Sequence, residues 1–356
     1  MIDLEQELIK ARNTLSADRL DMSFGELINM YDAGELIIDP EFQRYFRWGI
    51  YQRTRFIESI LCGIPIPSIF IAEDDEGKWE IVDGLQRVST VLSFFGKLIG
   101  EESSKENGWA MCKGDLVTNL AGKKIDDLPL KLQLNIKRSA VRVEVIKWDS
   151  RYDMRYELFN RLNTGGSPLT EQEVRNCIFR GSGNELANEV RELSNNKDLI
   201  ALVRPTERQK SQLYLDELVV RFYALLWIEE SEKNFGPERN LGSHLTEYMR
   251  KASADHSLFQ GNKDLFLRTL QVVKKINIEN VFHGRNYSFS PSRYDGIMMG
   301  IAYQIDSFEK NPEKVAEKIR KLLQDKDFLS ATGASSNYQA RVRKRIKRAK
   351  EIFKNA

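Results

Sequence analysis

Charge bias is the first thing this chain lacks. Its 54 lysines and arginines face 52 aspartates and glutamates over 356 residues, a formal net charge of +2. A chain so close to neutral projects no overall basic field, so any nucleic-acid surface must be local. Histidine is scarce, with only His244, His256 and His283, none at a metal-ligand spacing. The cysteines, Cys62, Cys112 and Cys177, are odd in number and far apart, which excludes a disulfide framework or a paired-thiol zinc site and points to a reducing cytoplasm. The longest apolar run, 219–228, is too short for a bilayer and contains Arg221. The acidic, polar start after Met1 does not read as a signal peptide. What remains is an ordinary soluble composition, 41% apolar and 30% charged, in a chain long enough for two domains.

The stretch that organises the rest is Val82-Asp-Gly-Leu-Gln-Arg-Val-Ser-Thr90. It follows the strand-like Trp79-Glu-Ile-Val82 and leads into an apolar, helix-length segment at 88–95, closed by Gly96. A strand, a glycine turn and a helix start bring backbone N–H groups and a positive helix end to one spot. Arg87 in the first turn offers a planar fork suited to a phosphate. Asp83, at the carboxyl end of the strand, is placed for a metal-bound water or a ribose. Taken alone, an Asp-Gly pair is equally a plain turn.

Other elements read from capping and periodicity. Ser23-Phe-Gly-Glu26 starts a helix over 24–32 that ends at Gly34. Glu35-Leu-Ile-Ile38 is a short strand, and 53–61 is a helix stopped by Gly63 and Pro65. Residues 68–72 and 78–82 form a hairpin across the acidic turn 73–77. Glu76-Gly-Lys78 in that turn matches a nuclease Glu-x-Lys in outline, but reads more simply as the hairpin tip. Asp127 before Pro129 favours a helix toward Arg138, and 140–146 alternates as a strand. Residues 152–180 read as two helices about the corner Asn163-Thr-Gly-Gly166, the second capped by Thr170-Glu-Gln-Glu173. From 185 onward only helices appear: 185–193, 214–230, 241–254, 264–276, 295–310 and 312–324. The 214–227 stripe is apolar on most sides and reads as core.

The block Asp39-Pro-Glu-Phe-Gln-Arg-Tyr-Phe-Arg-Trp48 carries its own Gln-Arg pair. It is followed by Ile60-Leu-Cys-Gly-Ile-Pro-Ile-Pro67, by the turn at 83–87, and by Phe159-Asn-Arg-Leu-Asn-Thr-Gly-Gly-Ser-Pro-Leu-Thr-Glu-Gln-Glu-Val-Arg175. In this order the blocks, over roughly residues 20–180, resemble the N-terminal domain of the GmrSD-type modification-dependent restriction endonucleases. The resemblance implies an α+β chain. A ParB/sulfiredoxin-like domain with a small mixed sheet would span 1–180, while the helical periodicity of the rest gives an all-helical domain ending in a basic helix over 181–356. It further implies binding and hydrolysis of an NTP with Mg²⁺ or another divalent cation, in defence against foreign DNA. Asp83, Gln86 and Arg87 would be catalytic, with Asp83 also the metal contact. Gln43, Arg44, Gly84, Arg87, Asn160, Arg161 and Asn163 would hold the nucleotide. One departure bears on turnover: Leu85 stands where the family's motif, Asp-Gly-Gln-Gln-Arg, has its first glutamine.

The chain ends in Arg341-Val-Arg-Lys-Arg-Ile-Lys-Arg-Ala-Lys350, without an acid. Val342, Ile346, Ala349 and Phe353 recur at helical spacing, so this is a basic helix packed through a narrow seam. It is either a solvated terminal helix or a surface that follows a phosphate backbone through Arg341, Arg343, Lys344, Arg345, Lys347 and Arg348. Ser335-Ser-Asn-Tyr338 is positioned to cap it.

The leading expectation is therefore a cytoplasmic NTP-binding and NTP-hydrolysing component of a modification-sensing, restriction-type anti-phage system acting on DNA, including modified phage DNA, with no membrane part. In the family, cutting is commonly done by a histidine-metal nuclease domain. Three histidines cannot supply one, so cleavage would need a separate subunit. The alternative is a non-enzymatic nucleic-acid-binding or nucleotide-sensing regulator. A nuclease built on Asp39, Glu41 and Asp83 is disfavoured, because no spaced set of metal-binding carboxylates is visible.

Overall fold

The computed structural model describes residues 17–38, 48–74, 76–100, 103–147, 170–179, 185–229, 240–284, 287–333 and 335–354. They fall into two units, Met1–Leu169 and Thr170–Ala356.

The first unit is α+β, built on a five-stranded mixed sheet. Its strands are β1 (Ala17–Ser23), β2 (Leu36–Ile37), β3 (Ile69–Glu73), β4 (Trp79–Asp83) and β5 (Ala140–Ile146), in the spatial order β1-β5-β3-β4-β2. The hairpin read from the sequence is present: β3 and β4 run antiparallel, with Ile71 opposite Ile81 and Glu73 opposite Trp79. β5 lies parallel to β3, and β2 parallel to β4. The ladder between β3 and β4 shifts register between Phe70 and Ile71, next to Phe70's partner Asp83. Bulges of this kind re-aim the side chains beside them. The sequence reading missed β1, which pairs antiparallel with β5. Five of its seven residues are exposed, so the apolar alternation that would announce a strand is absent.

Four α-helices accompany this sheet among the described residues: α1 (Phe24–Asp32), α2 (Ile50–Leu61), α3 (Leu85–Phe94) and α4 (Leu130–Arg138). Ser23 caps α1 as read, its Oγ accepting from Glu26 N at 3.1 Å. α2 starts earlier than expected because Gly49 N–H is satisfied by Gln52 Oε1 at 3.1 Å. α3 starts directly at Gly84, so that Leu85, Gln86 and Arg87 form its first turn. Val88, Val91, Leu92 and Phe94 from α3 join Phe24, Leu27, Ile57, Ile69, Ile71 and Val143 in the core. Packing of this apolar face, more than helix propensity, fixes where α3 lies.

The second unit is mostly helical. Its early helices are α5 (Glu171–Phe179), α6 (Glu185–Ser194), α7 (Lys197–Val203), α8 (Glu207–Ser211) and α9 (Tyr214–Leu226). They are followed by α10 (Leu241–Ala252), α11 (Asn262–Lys275), α12 (Pro291–Ala302) and α13 (Ile305–Lys310). The last three are α14 (Pro312–Gln324), α15 (Lys326–Ser330) and α16 (Gln339–Phe353). α9 is the centre: Leu218, Val219, Val220, Phe222, Tyr223, Ala224 and Leu225 are each 0% exposed. The single helix expected over 295–310 is two, because Gln304 leaves helical geometry at φ −130°. Gly296 and Gly300 on α12 admit the rings of Phe328 and Phe353, which would meet an added Cβ at 2.4 and 2.7 Å.

Candidate functional site

β4 delivers Asp83 to the start of α3, and Gly84 makes the turn between them with φ +101°. That φ is strained for any residue with a side chain. A Cβ there would also lie 3.0 Å from Ile69 Cγ1. Among the described residues no side chain caps α3, and its amino end carries the partial positive charge that favours an anion.

Arg87 does not point its whole fork outward. Nη2 pairs with Asp83 Oδ2 at 2.6 Å, while Nη1 donates to the carbonyls of Pro67 at 2.5 Å and Ser68 at 2.9 Å. Its side chain is 11% exposed and that of Asp83 41%. Arg87 thus ties the turn to the segment before β3 and holds Asp83 in place. Nε and the second Nη2 hydrogen lie outside these bonds. Leu85 is half-buried and packs against the core, which gives a packing reason for an apolar residue at this motif position.

Gln86 joins two of the sequence blocks. Its Oε1 accepts from Trp48 N at 3.1 Å. Arg53 Nε donates to Trp48 O at 2.9 Å, and Arg53 Nη2 pairs with Glu106 at 2.7 Å. Trp48 is therefore held through both backbone groups, with its ring against Phe56 at 5.6 Å. The block ending at Trp48 meets the chain beside the start of α3. Gln43 and Arg44 lie outside the described residues, as do Asn160, Arg161 and Asn163. Of the last block the described part is Thr170 and α5. There the expected cap is reciprocal, with Glu173 N donating to Thr170 Oγ1 and Thr170 N to Glu173 Oε2.

Sequence reasoning missed Arg53, which it took as a helix residue, and Glu58. Glu58 is 3% exposed and accepts from the N–H groups of Asp115, Leu116 and Val117 at 3.1, 2.9 and 2.7 Å. Its only signal was Gly114, where a Cβ would meet Glu58 Oε1 at 2.2 Å.

For a cation, the described residues contain no group of three or more potential ligands. Asp83 alone, with Oδ2 given to Arg87, does not make an all-protein cage. It fits Mg²⁺, which commonly keeps its waters and is held by one carboxylate together with substrate phosphates.

The basic helix α16 corrects one expectation. Arg345 is 0% exposed and cannot touch a phosphate backbone from its place. Its Nη2 pairs with Asp295 Oδ2 at 2.6 Å and its Nη1 donates to Ser336 O. Arg221 holds the same carboxylate at 2.7 and 3.1 Å. Burial drives the Asp295 pKa up, but Arg221 and then Arg345 outweigh it and hold the carboxyl below its usual range. Nor is the rest of the helix unopposed. Arg348 pairs with Asp325 at 2.7 Å and Glu351 at 2.9 Å, and Lys344 with Asp327 at 2.9 Å. Arg341 and Lys347 are exposed and Arg343 is half-buried. The apolar seam is as read, with Val342, Ile346, Ala349 and Phe353 buried. Tyr338 holds the capping position but makes no side-chain cap.

Comparison with protein families matches residues 24–180 to the GmrSD restriction endonuclease, N-terminal domain. The match runs from α1 through α5 and takes in the Asp83–Arg87 turn, the sequence block ending at Trp48 and the Thr170 cap. No curated protein and no solved structure matches the chain.

Proposed function

From a chain whose residues 24–180 form a GmrSD N-terminal domain, we propose a restriction-type defence component that binds an NTP at the Asp83–Arg87 turn. The carrying observation is the bond from Trp48 N to Gln86 Oε1. It brings two separate motif blocks together at the amino end of α3, beside a half-exposed carboxylate. The phosphates would lie against that helix end, with Arg87's remaining donors beside them and Gln43 and Arg44 entering from the loop before Trp48. Asn160, Arg161 and Asn163 would close the base and ribose side. A Mg²⁺ bound with the NTP would neutralise charge on its phosphates. Asp83 would orient that ion or a water, and Arg87 would fix Asp83's rotamer through the 2.6 Å pair. Hydrolysis at such a site is mainly positioning and charge stabilisation. The motif resemblance supports reading the domain as ParB/sulfiredoxin-like, and the composition supports a cytoplasmic protein.

Cleavage of DNA, including modified phage DNA, would fall to a separate histidine-metal nuclease subunit. Two of this chain's histidines are committed internally: His244 Nε2 lies 2.8 Å from Ala224 O, and His283 is 7% exposed. A second reading, nucleotide sensing without turnover, is favoured by Leu85 and by the inward engagement of Arg87. One experiment decides between them. Calorimetry and a phosphate-release assay on the purified chain, with each NTP plus Mg²⁺ and with or without DNA, measure binding and turnover separately. Binding with release supports the first reading and binding alone the second. Absence of binding to any NTP removes both.

A further inference from the structure

The helical unit contains a cavity of about 250 Å³ that plays no part in the reading above. Its wall includes Arg175 from α5 and Arg221 from α9, together with Glu171, Glu217 and Gly242. The two arginine side chains are only 1% and 3% exposed. A guanidinium taken out of water normally sits on a short charge-assisted bond. Arg221 does, on Asp295 at 2.7 Å, and so does Arg345, at 2.6 Å on the same carboxylate. Arg175 does not. Its Nε has a neutral partner, Gln172 Oε1, at 2.9 Å. Its Nη1 reaches Glu171 Oε2 only at 3.3 Å and Gly242 O at 3.4 Å, and its Nη2 reaches Glu217 Oε2 at 3.6 Å. Arg221 Nη1 is as loosely met, by Glu217 Oε1 at 3.5 Å.

Glu171 shows what this arrangement attracts. A Cβ added at Gly242 would lie 2.1 Å from Glu171 Oε2, so the carboxylate rests in the space left by the missing side chain. Gly242 is the second residue of α10, whose amino end favours negative charge. Yet the Glu171 side chain is 61% exposed and can leave for water at little cost. If it leaves, Arg221 and Arg345 keep their short pairs with Asp295, while Arg175 keeps, among the described residues, only Gln172, the Gly242 carbonyl and the long contact to Glu217.

We infer that this cavity is a binding site for a phosphate group, occupied in the present state by the Glu171 carboxylate as a removable stand-in. The donors are the guanidinium groups of Arg175 and Arg221, beside Gly242; the neighbouring Leu241 N and Ser243 N of α10 are already taken by Asn337 O and Asn240 Oδ1. The Glu171 carboxylate reaches only Arg175, at 3.3 Å, and Glu217 reaches Arg175 and Arg221 at 3.6 and 3.5 Å. A tetrahedral oxyanion can present acceptors to both arginines at once. The phosphate is either a free ion or the end of a nucleic-acid strand.

The test uses the full chain and inorganic phosphate, by titration calorimetry, on wild type, Glu171→Gln and Arg175→Lys. Removing the competing carboxylate should tighten phosphate binding about tenfold, the effect of one nearby like charge. Arg175→Lys should lose it. Should Arg175→Lys not fold, the Glu171→Gln comparison decides alone. A second arm compares an oligonucleotide bearing a 5′-phosphate with the same strand bearing a 5′-hydroxyl. A preference for the phosphorylated end in Glu171→Gln assigns the site to strand ends, and equal binding of the two assigns it to the free ion. Phosphate affinity that is absent or equal in wild type and Glu171→Gln overturns the inference.

Discussion

Two aspartate–arginine pairs, one in each unit, hold the same chemistry under opposite conditions. At the turn, Asp83 and Arg87 meet at 2.6 Å with the carboxylate 41% exposed. In the helical unit, Asp295 and Arg345 also meet at 2.6 Å, but both side chains are 0% exposed, and Arg221 shares the carboxylate. Water reaches the carboxylate of the first pair. No such substitute exists for the second, where losing one partner strands a buried charge. An ion pair of unchanged length is thus open to solvent on one side in one unit and sealed in the other.

The largest effect follows from the sealed pair. Arg345→Met should lower stability by about 3–5 kcal/mol, the usual cost of removing one partner of a buried pair, read from urea unfolding. Equal midpoints for mutant and parent would break the comparison. A pH series sharpens it. The Asp295 pKa is lowered in the folded state. Its contribution is therefore fully present above the unfolded carboxylate value of about 3.9 and is lost as pH falls through the folded value. Asp295→Asn should be less stable than wild type at neutral pH, with the gap closing as the buffer is acidified.

At the open pair the expected losses are smaller in stability and larger in function. Arg87→Ala removes three hydrogen bonds that end on Asp83, Pro67 and Ser68. Since the carboxylate reaches water, the stability loss should be about 1–2 kcal/mol, while nucleotide binding is abolished. Calorimetry on the folded mutant checks this, and unchanged affinity would sink the pocket assignment. Asp83→Asn keeps a side chain able to hydrogen-bond, so stability and NTP binding should both survive while phosphate release falls. Release at the wild-type rate would make Asp83 a structural turn residue.

How much of this was legible depended on how far apart the interacting residues lie. α1 with its Ser23 cap, the β3–β4 hairpin and α14 follow from local spacing, and the structure has them where the sequence places them. Asp83 and Arg87 are four apart, so their adjacency at a strand–helix junction was visible. Asp295 and Arg345 are separated by 50 positions, and no local pattern says that one arginine of a basic run turns inward. The contact between Trp48 and Gln86, 38 positions apart, was hinted at only by the order of blocks in a family. Short helices such as α7 and α8 escaped because each has fewer than eight residues, too few for periodicity to register.

The smallest expected change in stability lies on the outer side of α16, and it tests whether that side meets DNA. Arg345 must be left alone, since its loss would unfold the helix's anchor rather than free a phosphate. Arg348 and Lys344 already face Asp325 and Asp327, so their replacement would free acids as well as delete cations. Arg341 and Lys347, like Lys344, are exposed. Changing both to Gln keeps helix propensity and should shift the unfolding midpoint little. If the helix follows a phosphate backbone, the slope of log affinity against log salt should fall by about 0.9 for each phosphate that the helix no longer neutralises. NTP binding, proposed for the first unit, should not change. A salt slope equal to that of the parent, in a variant with the parent's unfolding midpoint, would assign these charges to solvent and leave the sealed pair as the helix's main electrostatic role.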